Sequence, residues 1–352
     1  FLKEYEPHLQ QNPKNPNLYM MVRLHLSNAY AAQGRFDDAM KLLAATEIRE
    51  GKKPEQALMS RFAVTSNLCY CAEQMGDLDA AKKYLDELHG YKKQLEAIQE
   101  TKKPKQRMAF SCELNDQCMK LLSTGKCDIQ ALKTQVQQNN TQQLHRITTS
   151  LWIARAYLAE QNRREAENIL QQIVKLAPDL YPGREAARLL QKPAAVGMPR
   201  AQYLLGVCCE FGDGVEQDVS RALALYREAA GAGYPDAQCA LGVLHHQGKG
   251  VDQDDREAVR LFRQAAEGGY PRAWHFLGLS YDQGTGVEQN AQEAFRCFLA
   301  AAQGDYTEAL CQTGMCYYFG HGTERDYDRA AEYFCRGAER EHPRSMTRLG
   351  VC

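Results

Sequence analysis

The chain contains 352 residues, of which 44% are hydrophobic, and its 43 basic and 44 acidic residues give a net charge of -1 at pH 7. This balance lacks the basic excess that phosphate binding requires, so we predict no nucleic-acid partner. No run of about 18 apolar residues occurs, which excludes a membrane-spanning helix from this segment. The absence of long alternating apolar patterns favours an all-helical protein.

Residues 1–192 are predicted to form helical hairpins. Phe1 to Gln11 is typical of the second helix of a hairpin whose first helix lies upstream, so we expect the natural chain to begin earlier. Three later segments carry apolar and small residues at the spacing of tetratricopeptide repeats, which they resemble. The matching positions are Leu26, Tyr30, Gly34, Ala39 and Leu43; Leu68, Cys69, Gly76, Ala81 and Leu85; and Ile153, Ala154, Tyr157, Ala166, Leu170 and Pro178.

The segment between the second and third copies fits no repeat pattern well. We predict a degenerate hairpin near residues 107–140, with helices over Met108–Leu122 and Asp128–Gln137 and a break at Gly125. The basic residues from Lys92 to Arg107 are interpreted as a solvated face or loop, with a site for an acidic partner as the alternative.

A domain boundary is predicted after Lys192, because lysine almost disappears beyond this position and the charge changes from a basic to an acidic excess. A short helix from Arg184 to Gln191 and the link Lys192-Pro193-Ala194-Ala195 precede a second array over residues 193–352. This array is expected to contain four complete hairpins and part of a fifth.

The second array repeats every 36 residues, with a Leu-Gly pair in each first helix and a Gly-x-Gly turn before each second helix. The pairs are Leu205-Gly206, Leu241-Gly242, Leu277-Gly278 and Leu349-Gly350, with Thr313-Gly314 as the altered copy; the turns begin at Gly212, Gly248, Gly284 and Gly320; and Asp218, Asp254, Asn290 and Asp326 follow as helix caps. A helical glycine costs about 1 kcal/mol relative to alanine, so its regular return predicts close approach of the paired helix. Such a fixed period indicates a solenoid.

These motifs resemble the Sel-one-like repeat over Ala201 to Cys352. The resemblance implies an all-α, right-handed alpha-alpha superhelix in which the first helices line the concave side and bind a helix or an extended segment of another protein. By this carry-over the partner-binding residues are Tyr203, Glu210, Phe211, His246, His275, Asp282, Met315 and Tyr318. The function implied is a non-catalytic scaffold or adaptor.

Tetratricopeptide relatives that hold acidic C-terminal tails use a lysine and an asparagine on one first helix. Asn28 matches the asparagine position, but Leu24 occupies the lysine position, and Ala63 and Ser66 supply no such groups in the second copy. The residues therefore do not favour such a clamp.

The sequence gives little support to catalytic or metal chemistry. Cys239, His245, His246, His275 and Asp282 are the one cluster that suggests a metal, but they belong to helices roughly 10 Å apart, so we predict no metal and no cofactor. No phosphate loop, nucleophile elbow or Cys-His arrangement is evident, and we predict that the protein is not an enzyme. A hydrolase that uses a groove cysteine or histidine stays as the weaker reading.

The thirteen cysteines fall at different phases of the repeat, so we predict free buried thiols rather than a disulfide framework. A cytoplasmic location is expected, or a membrane-anchored or exported one if an upstream segment is missing. The alternative function is therefore a structural or regulatory subunit of a membrane-associated assembly. The sequence leaves the oligomeric state open.

Overall fold

The computed structural model describes residues 16–46, 48, 54–97, 102–138, 143–340 and 343. The predicted helix from Phe1 to Gln11 and the partial fifth repeat with Leu349-Gly350 lie outside these residues. The described ranges contain seventeen helices and no strands, and consecutive helices pack in pairs, so the predicted all-α solenoid class is confirmed. The chain forms two compact units, unit 1 (Phe1–Leu189) and unit 2 (Leu190–Cys352), and each is described by itself.

Unit 1 contains the longer and less regular helices. They are α1 (Pro16–Ala32), α2 (Phe36–Ala44), α3 (Pro54–Met75), α4 (Leu78–Glu96), α5 (Lys102–Thr124), α6 (Ile129–Gln138), α7 (Gln143–Ala159), α8 (Arg163–Leu176) and α9 (Tyr181–Ala195), which contains the boundary between the units. The hairpins α1–α2, α3–α4 and α7–α8 lie where the three repeat patterns predict them. Between them, α5 and α6 form a further pair separated at Gly125, whose φ is 71°.

Two predicted segments differ in extent. Of the two interpretations of the basic residues, a solvated face or a loop, Lys92 and Lys93 fit a helix face, since they lie within α4 and Lys93 is exposed; α5 begins already at Lys102. The helix expected to end at Gln191 continues to Ala195 and includes Pro193. Gly197, with a φ of 78°, then reverses the chain.

The start of α9 connects several helices of unit 1. The Tyr181 ring packs edge-on against Phe36 of α2 at a centroid distance of 4.6 Å, and its hydroxyl donates to Gln74 of α3 at 3.2 Å. Arg155 of α7 forms an ion pair with Glu185 at 2.9 Å. These contacts bring the first and last hairpins of unit 1 to the same helix.

Unit 2 is built from four equal hairpins, in which each helix has 13 residues. The helices are α10 (Pro199–Phe211), α11 (Val219–Gly231), α12 (Pro235–Gln247), α13 (Asp255–Glu267), α14 (Pro271–Gln283), α15 (Ala291–Gln303), α16 (Thr307–Phe319) and α17 (Tyr327–Glu339). All four predicted caps are present: Asp218, Asp254, Asn290 and Asp326 each accept a hydrogen bond from the backbone N–H three residues later, at 2.9–3.1 Å. The caps satisfy amides that the helix cannot pair internally.

The regular glycine of each first helix lies against an aromatic ring of the second helix. A Cβ placed on the glycine would approach a ring carbon to 2.6 Å in the pair Gly206–Tyr226, 2.7 Å in Gly242–Phe262, 2.7 Å in Gly278–Phe298 and 2.6 Å in Gly314–Phe334. The predicted close approach is therefore confirmed. The atoms nearest each glycine belong to a buried aromatic ring of the second helix.

The last two turns also meet the preceding hairpin through their second glycines. A Cβ on Gly286 would overlap the carbonyl oxygen of Asp255, and one on Gly322 would overlap that of Ala291. Both carbonyls belong to the first residue of the preceding second helix. Both turns therefore rest on backbone, with no space for a side chain.

One hairpin ends with a strained residue. Asp305 has a φ of 64°, whereas glycine occupies the equivalent positions at Gly233 (81°) and Gly269 (83°). A non-glycine residue in this region is unfavourable, and contacts with Arg340 hold it in place: one guanidinium nitrogen donates to the Asp305 carbonyl and another pairs with its carboxylate, both at 2.8 Å.

Candidate partner-binding surface

The eight sequence-predicted residues lie on the four first helices of unit 2, but their side chains differ in accessibility. Tyr203 is half-buried, and its ring lies 5.9 Å from that of Tyr226 and 5.6 Å from that of Tyr234. Met315 is also half-buried and packs against the core cluster around Phe334. These two side chains therefore contribute to the hairpin core as well as to its surface.

Glu210 and His275 are buried, so neither side chain is readily accessible to a partner. Glu210 accepts a hydrogen bond from the Tyr226 hydroxyl at 3.0 Å and pairs with Lys249 of the next hairpin at 2.9 Å. The His275 ring lies among aromatic rings, 5.2 Å from that of Tyr306, and its Nδ1 has no hydrogen-bond partner among the described residues. Burial lowers the pKa of His275 to about 4, so this side chain is neutral at pH 7.

Phe211 and His246 are exposed, at the C-terminal ends of α10 and α12. Phe211 is 61% exposed, and the Lys249 ammonium lies 5.3 Å from the centre of its ring, within the range of a cation–π contact. The His246 Nδ1 lies 2.7 Å from a carboxylate oxygen of Asp255. Both side chains are accessible to a partner.

Asp282 joins two successive hairpins. Its carboxylate lies 2.7 Å from His321 Nε2, and the two residues are separated by the same 39 positions as Glu210 and Lys249. Each pair connects the end of one first helix to the turn of the following hairpin. Because Asp282 and His321 are partly exposed, their ion pair contributes modestly to stability.

Tyr318 belongs to an aromatic cluster at the C-terminal end of α16. Its ring lies 4.9 Å from that of Phe319 and 5.3 Å from that of Tyr327, both in edge-on geometry. Phe319 is 53% exposed and Tyr327 is 55% exposed. This cluster is the largest group of exposed aromatic rings in the described part of unit 2.

A second row of groups along the first helices was missed in the sequence. The residue before each of α12, α14 and α16 is a tyrosine, and the second residue of each helix is charged, with alternating sign: Tyr234 and Asp236, Tyr270 and Arg272, and Tyr306 and Glu308. Burial raises the pKa of Asp236, against the nearby Arg200, Tyr270 and Arg272. Each pair recurs 36 residues after the last, at the same position of the repeat, so the sequence alone could have revealed it.

The suggested metal ligands do not converge. Cys239 and His275 are buried, whereas His246 pairs with Asp255, and the described residues contain no group of three or more His, Cys, Asp or Glu side chains placed to hold a metal ion. All twelve cysteines in the described ranges are free thiols, and only Cys335 is exposed. None of the helices that the structure describes is both long and apolar enough to cross a membrane.

Comparisons with known proteins identify the repeats. The Sel1 repeat matches residues 199–234, 235–270, 271–306 and 307–342, and the tetratricopeptide repeat matches residues 149–179. No curated protein matches the chain.

Among solved structures, the chain is similar to a Sel1 repeat protein from Oxalobacter formigenes, with 27% identity and a TM-score of 0.49, over 58% of this chain and 83% of that chain. It is also similar to c5321, a protective antigen of uropathogenic Escherichia coli strains that displays an SLR fold, with 27% identity and a TM-score of 0.49, over 68% of this chain and 51% of that chain. A putative Sel1 repeat protein from Klebsiella pneumoniae matches 62% of this chain and 97% of its own, with 18% identity and a TM-score of 0.32.

Proposed function

Since the chain contains four Sel1 repeats preceded by a tetratricopeptide repeat, we propose that it is a non-catalytic scaffold or adaptor that binds a segment of another protein. Repeats of these two kinds generally serve as protein-interaction scaffolds. The proposal for this chain goes further, since it assigns the binding to one face of unit 2.

The proposed surface consists of the accessible residues of the first helices: Tyr203, Phe211, His246, Asp282, Met315, Tyr318 and Phe319. The observation that carries the proposal is the exposure of large aromatic side chains at both ends of unit 2, at Phe211 and at the cluster of Tyr318, Phe319 and Tyr327. Aromatic side chains often supply most of the binding energy of an interface.

Polar groups between these aromatic residues suit a partner segment with its own hydrogen-bonding groups. His246 and Asp282 are partly exposed, and each already has a single carboxylate or imidazole partner. An amphipathic helix or an extended segment satisfies this arrangement, with two apolar side chains as anchors and polar groups between them. Glu210 and His275 are left out of the surface because they are buried.

The test replaces four accessible side chains together: Phe211→Ala, His246→Ala, Tyr318→Ala and Phe319→Ala. The full chain captures partners from cell extract, mass spectrometry identifies them, and titration calorimetry with a purified partner gives the affinity. We expect the quadruple variant to keep the helical circular dichroism of the parent protein and to bind at least tenfold more weakly, which corresponds to about 1.4 kcal/mol.

The matched control carries Arg260→Ala and Arg296→Ala on the second helices, where both side chains are exposed. This control should bind as the parent protein does. If the quadruple variant binds with undiminished affinity while the control loses binding, the partner uses the second-helix face and the proposed surface is wrong.

A further inference from the structure

A cavity of about 150 Å³ lies inside unit 1, away from the surface proposed above. Residues of α1, α3, α5, α7 and α9 line it, from Asn28 to Pro182. Among the lining residues, Asn28 is exposed, whereas Glu73, Asn115 and Trp152 are buried. A cavity of this size holds a molecule as large as benzene, so one side chain or a small ligand fits.

The cavity lining contains a carboxyl group that has no paired cation among the described residues. Glu73 is only 2% exposed, and among the described residues its one hydrogen bond comes from the Cys69 thiol, at 3.6 Å. The nearest cation, Arg155, forms its ion pair with Glu185 at 2.9 Å and also donates to Gln74 at 3.2 Å. The described residues that line the cavity include no Lys, Arg or His. A buried carboxyl group without a counter-ion fits a cationic ligand.

A buried amide donor without a partner lines the same cavity. Asn115 is 4% exposed, and its Nδ2 makes no hydrogen bond to any described residue. A buried donor left unpaired costs about 1–3 kcal/mol, and a ligand oxygen that accepts from it removes this cost. The rings of Tyr70 and Trp152 also line the cavity and offer an apolar wall for methylene groups.

We propose that this cavity binds an alkylammonium group: the ammonium pairs with the Glu73 carboxylate, the methylene groups pack beside Trp152, and a neighbouring carbonyl oxygen accepts from Asn115. A lysine side chain within a peptide supplies all three features, because its backbone carbonyl provides the acceptor. A free alkylamine supplies the first two only. Both ligands make the ammonium and methylene contacts. Only a lysine within a peptide also accepts a hydrogen bond from Asn115, and this contact distinguishes the two.

Binding should release a proton below about pH 8. Burial raises the pKa of Glu73 to about 8, against the hydrogen bond from Cys69 and the charge of Arg155, so the carboxyl group is mostly protonated at pH 7. An ammonium ion favours the ionised carboxylate and displaces this proton. Affinity for the cation therefore rises with pH until Glu73 is ionised in the free protein, and it then levels off.

The other groups that face Glu73 keep their charge across this range. On α3 and α5, burial raises the pKa values of Cys69 and Cys118 well above neutrality, so both thiols stay neutral. From α7, the charge of Arg155 also acts on Glu73. On α9, burial opposes the ionisation of Glu185, but hydrogen bonds from Arg188 and Arg155 prevail and lower its pKa. The change in affinity between pH 6 and pH 8 thus reports on Glu73.

The experiment titrates the full chain with three probes, followed by NMR: N-acetyl-lysine N-methylamide, n-butylammonium chloride and uncharged N-acetyl-norleucine N-methylamide. We expect both amines to bind, each about fiftyfold more tightly at pH 8 than at pH 6, as a pKa of about 8 requires, and the norleucine compound not to bind. Glu73→Gln should weaken both amines at least tenfold and remove the pH dependence. The control Glu113→Gln, an exposed change on the same helix as Asn115, should have no effect.

Asn115→Ala separates the two sources of the amine. If it weakens the lysine compound severalfold and leaves n-butylammonium unchanged, the ligand is a lysine within a peptide. If it changes neither affinity, the cavity takes free alkylamines. Equal binding of the norleucine compound, or a pH-independent affinity of the parent protein, would overturn the proposal, and the second result does not depend on whether the Glu73→Gln variant folds.

Discussion

The glycine of each first helix allows a direct test of the hairpin packing, and Gly242→Ala is the simplest form. Two effects oppose each other. Alanine favours a helix by about 1 kcal/mol relative to glycine. Its Cβ, however, would lie 2.7 Å from a Phe262 ring carbon and 3.2 Å from the Ala258 carbonyl oxygen, and the ring is buried and the carbonyl is backbone. Neither neighbour has space to move.

Overpacking of this kind typically costs about 1–3 kcal/mol, so the net change should be a loss of about 0–2 kcal/mol. The matched control is Gly90→Ala, because Gly90 lies inside α4 and a Cβ there would meet nothing within 4 Å. Only the helical preference acts at that position, and the control should gain about 0.5–1 kcal/mol.

The assay is urea unfolding followed by circular dichroism, with Phe262→Leu as a third variant. Removing the ring should relieve the clash, so the effect of Gly242→Ala should become favourable in the Phe262→Leu background. Equal stabilisation by Gly242→Ala and Gly90→Ala in the parent protein would refute the reasoning, because it would mean that the ring does not confine the glycine.

Two further predictions concern unit 2. Because the pKa of His275 is about 4 in the folded protein and about 6.5 when exposed, the neutral form is favoured by folding; stability is constant above about pH 6.5 and should fall by up to about 1.4 kcal/mol per unit as the pH drops from 6.5 towards 4. His275→Phe should reduce this loss in urea titrations at pH 7 and pH 5, and an unchanged acid sensitivity would contradict the assignment. Asp305→Gly should raise stability by about 0.5–1 kcal/mol in the same assay, because the gain at a positive φ exceeds the loss of exposed ion pairs with Arg336 and Arg340. A loss of stability would show instead that the arginine contacts dominate.

The repeat register, the helix caps and the close glycine contacts of unit 2 were predictable because each depends on residues of one hairpin. Asp254 caps α13 from the position immediately before it, and Gly242 meets a ring only twenty positions away. The burial of Glu210 and His275 was not predictable in this way. Glu210 is covered through Lys249 of the next hairpin, and His275 through Tyr306, so their environment depends on which side chains the neighbouring repeat supplies.

The cavity in unit 1 was beyond the reach of sequence patterns for a related reason. Its lining extends from Asn28 to Pro182 and includes five helices, and no spacing in the sequence indicates that Glu73 and Asn115 line one space. Sequence patterns also misjudged the end of α9: Pro193 suggested a link between helices, whereas the helix continues to Ala195. Local signals decide where a helix forms, whereas the groups that meet across helices depend on packing.

The turn glycines have a consequence for how such an array changes over time. Gly286 and Gly322 contact the preceding hairpin through carbonyl oxygens, which every amino acid possesses. The joint between hairpins, which is this contact of glycine with carbonyl, therefore tolerates almost any side chain at Asp255 and Ala291. Gly286 and Gly322 themselves cannot be replaced by a residue with a side chain. Substitutions at Phe211 or Phe319 leave these joints untouched. A protein built in this way can acquire a new binding preference at its surface without losing the geometry with which its repeats stack, and a whole hairpin can be duplicated with its joint intact.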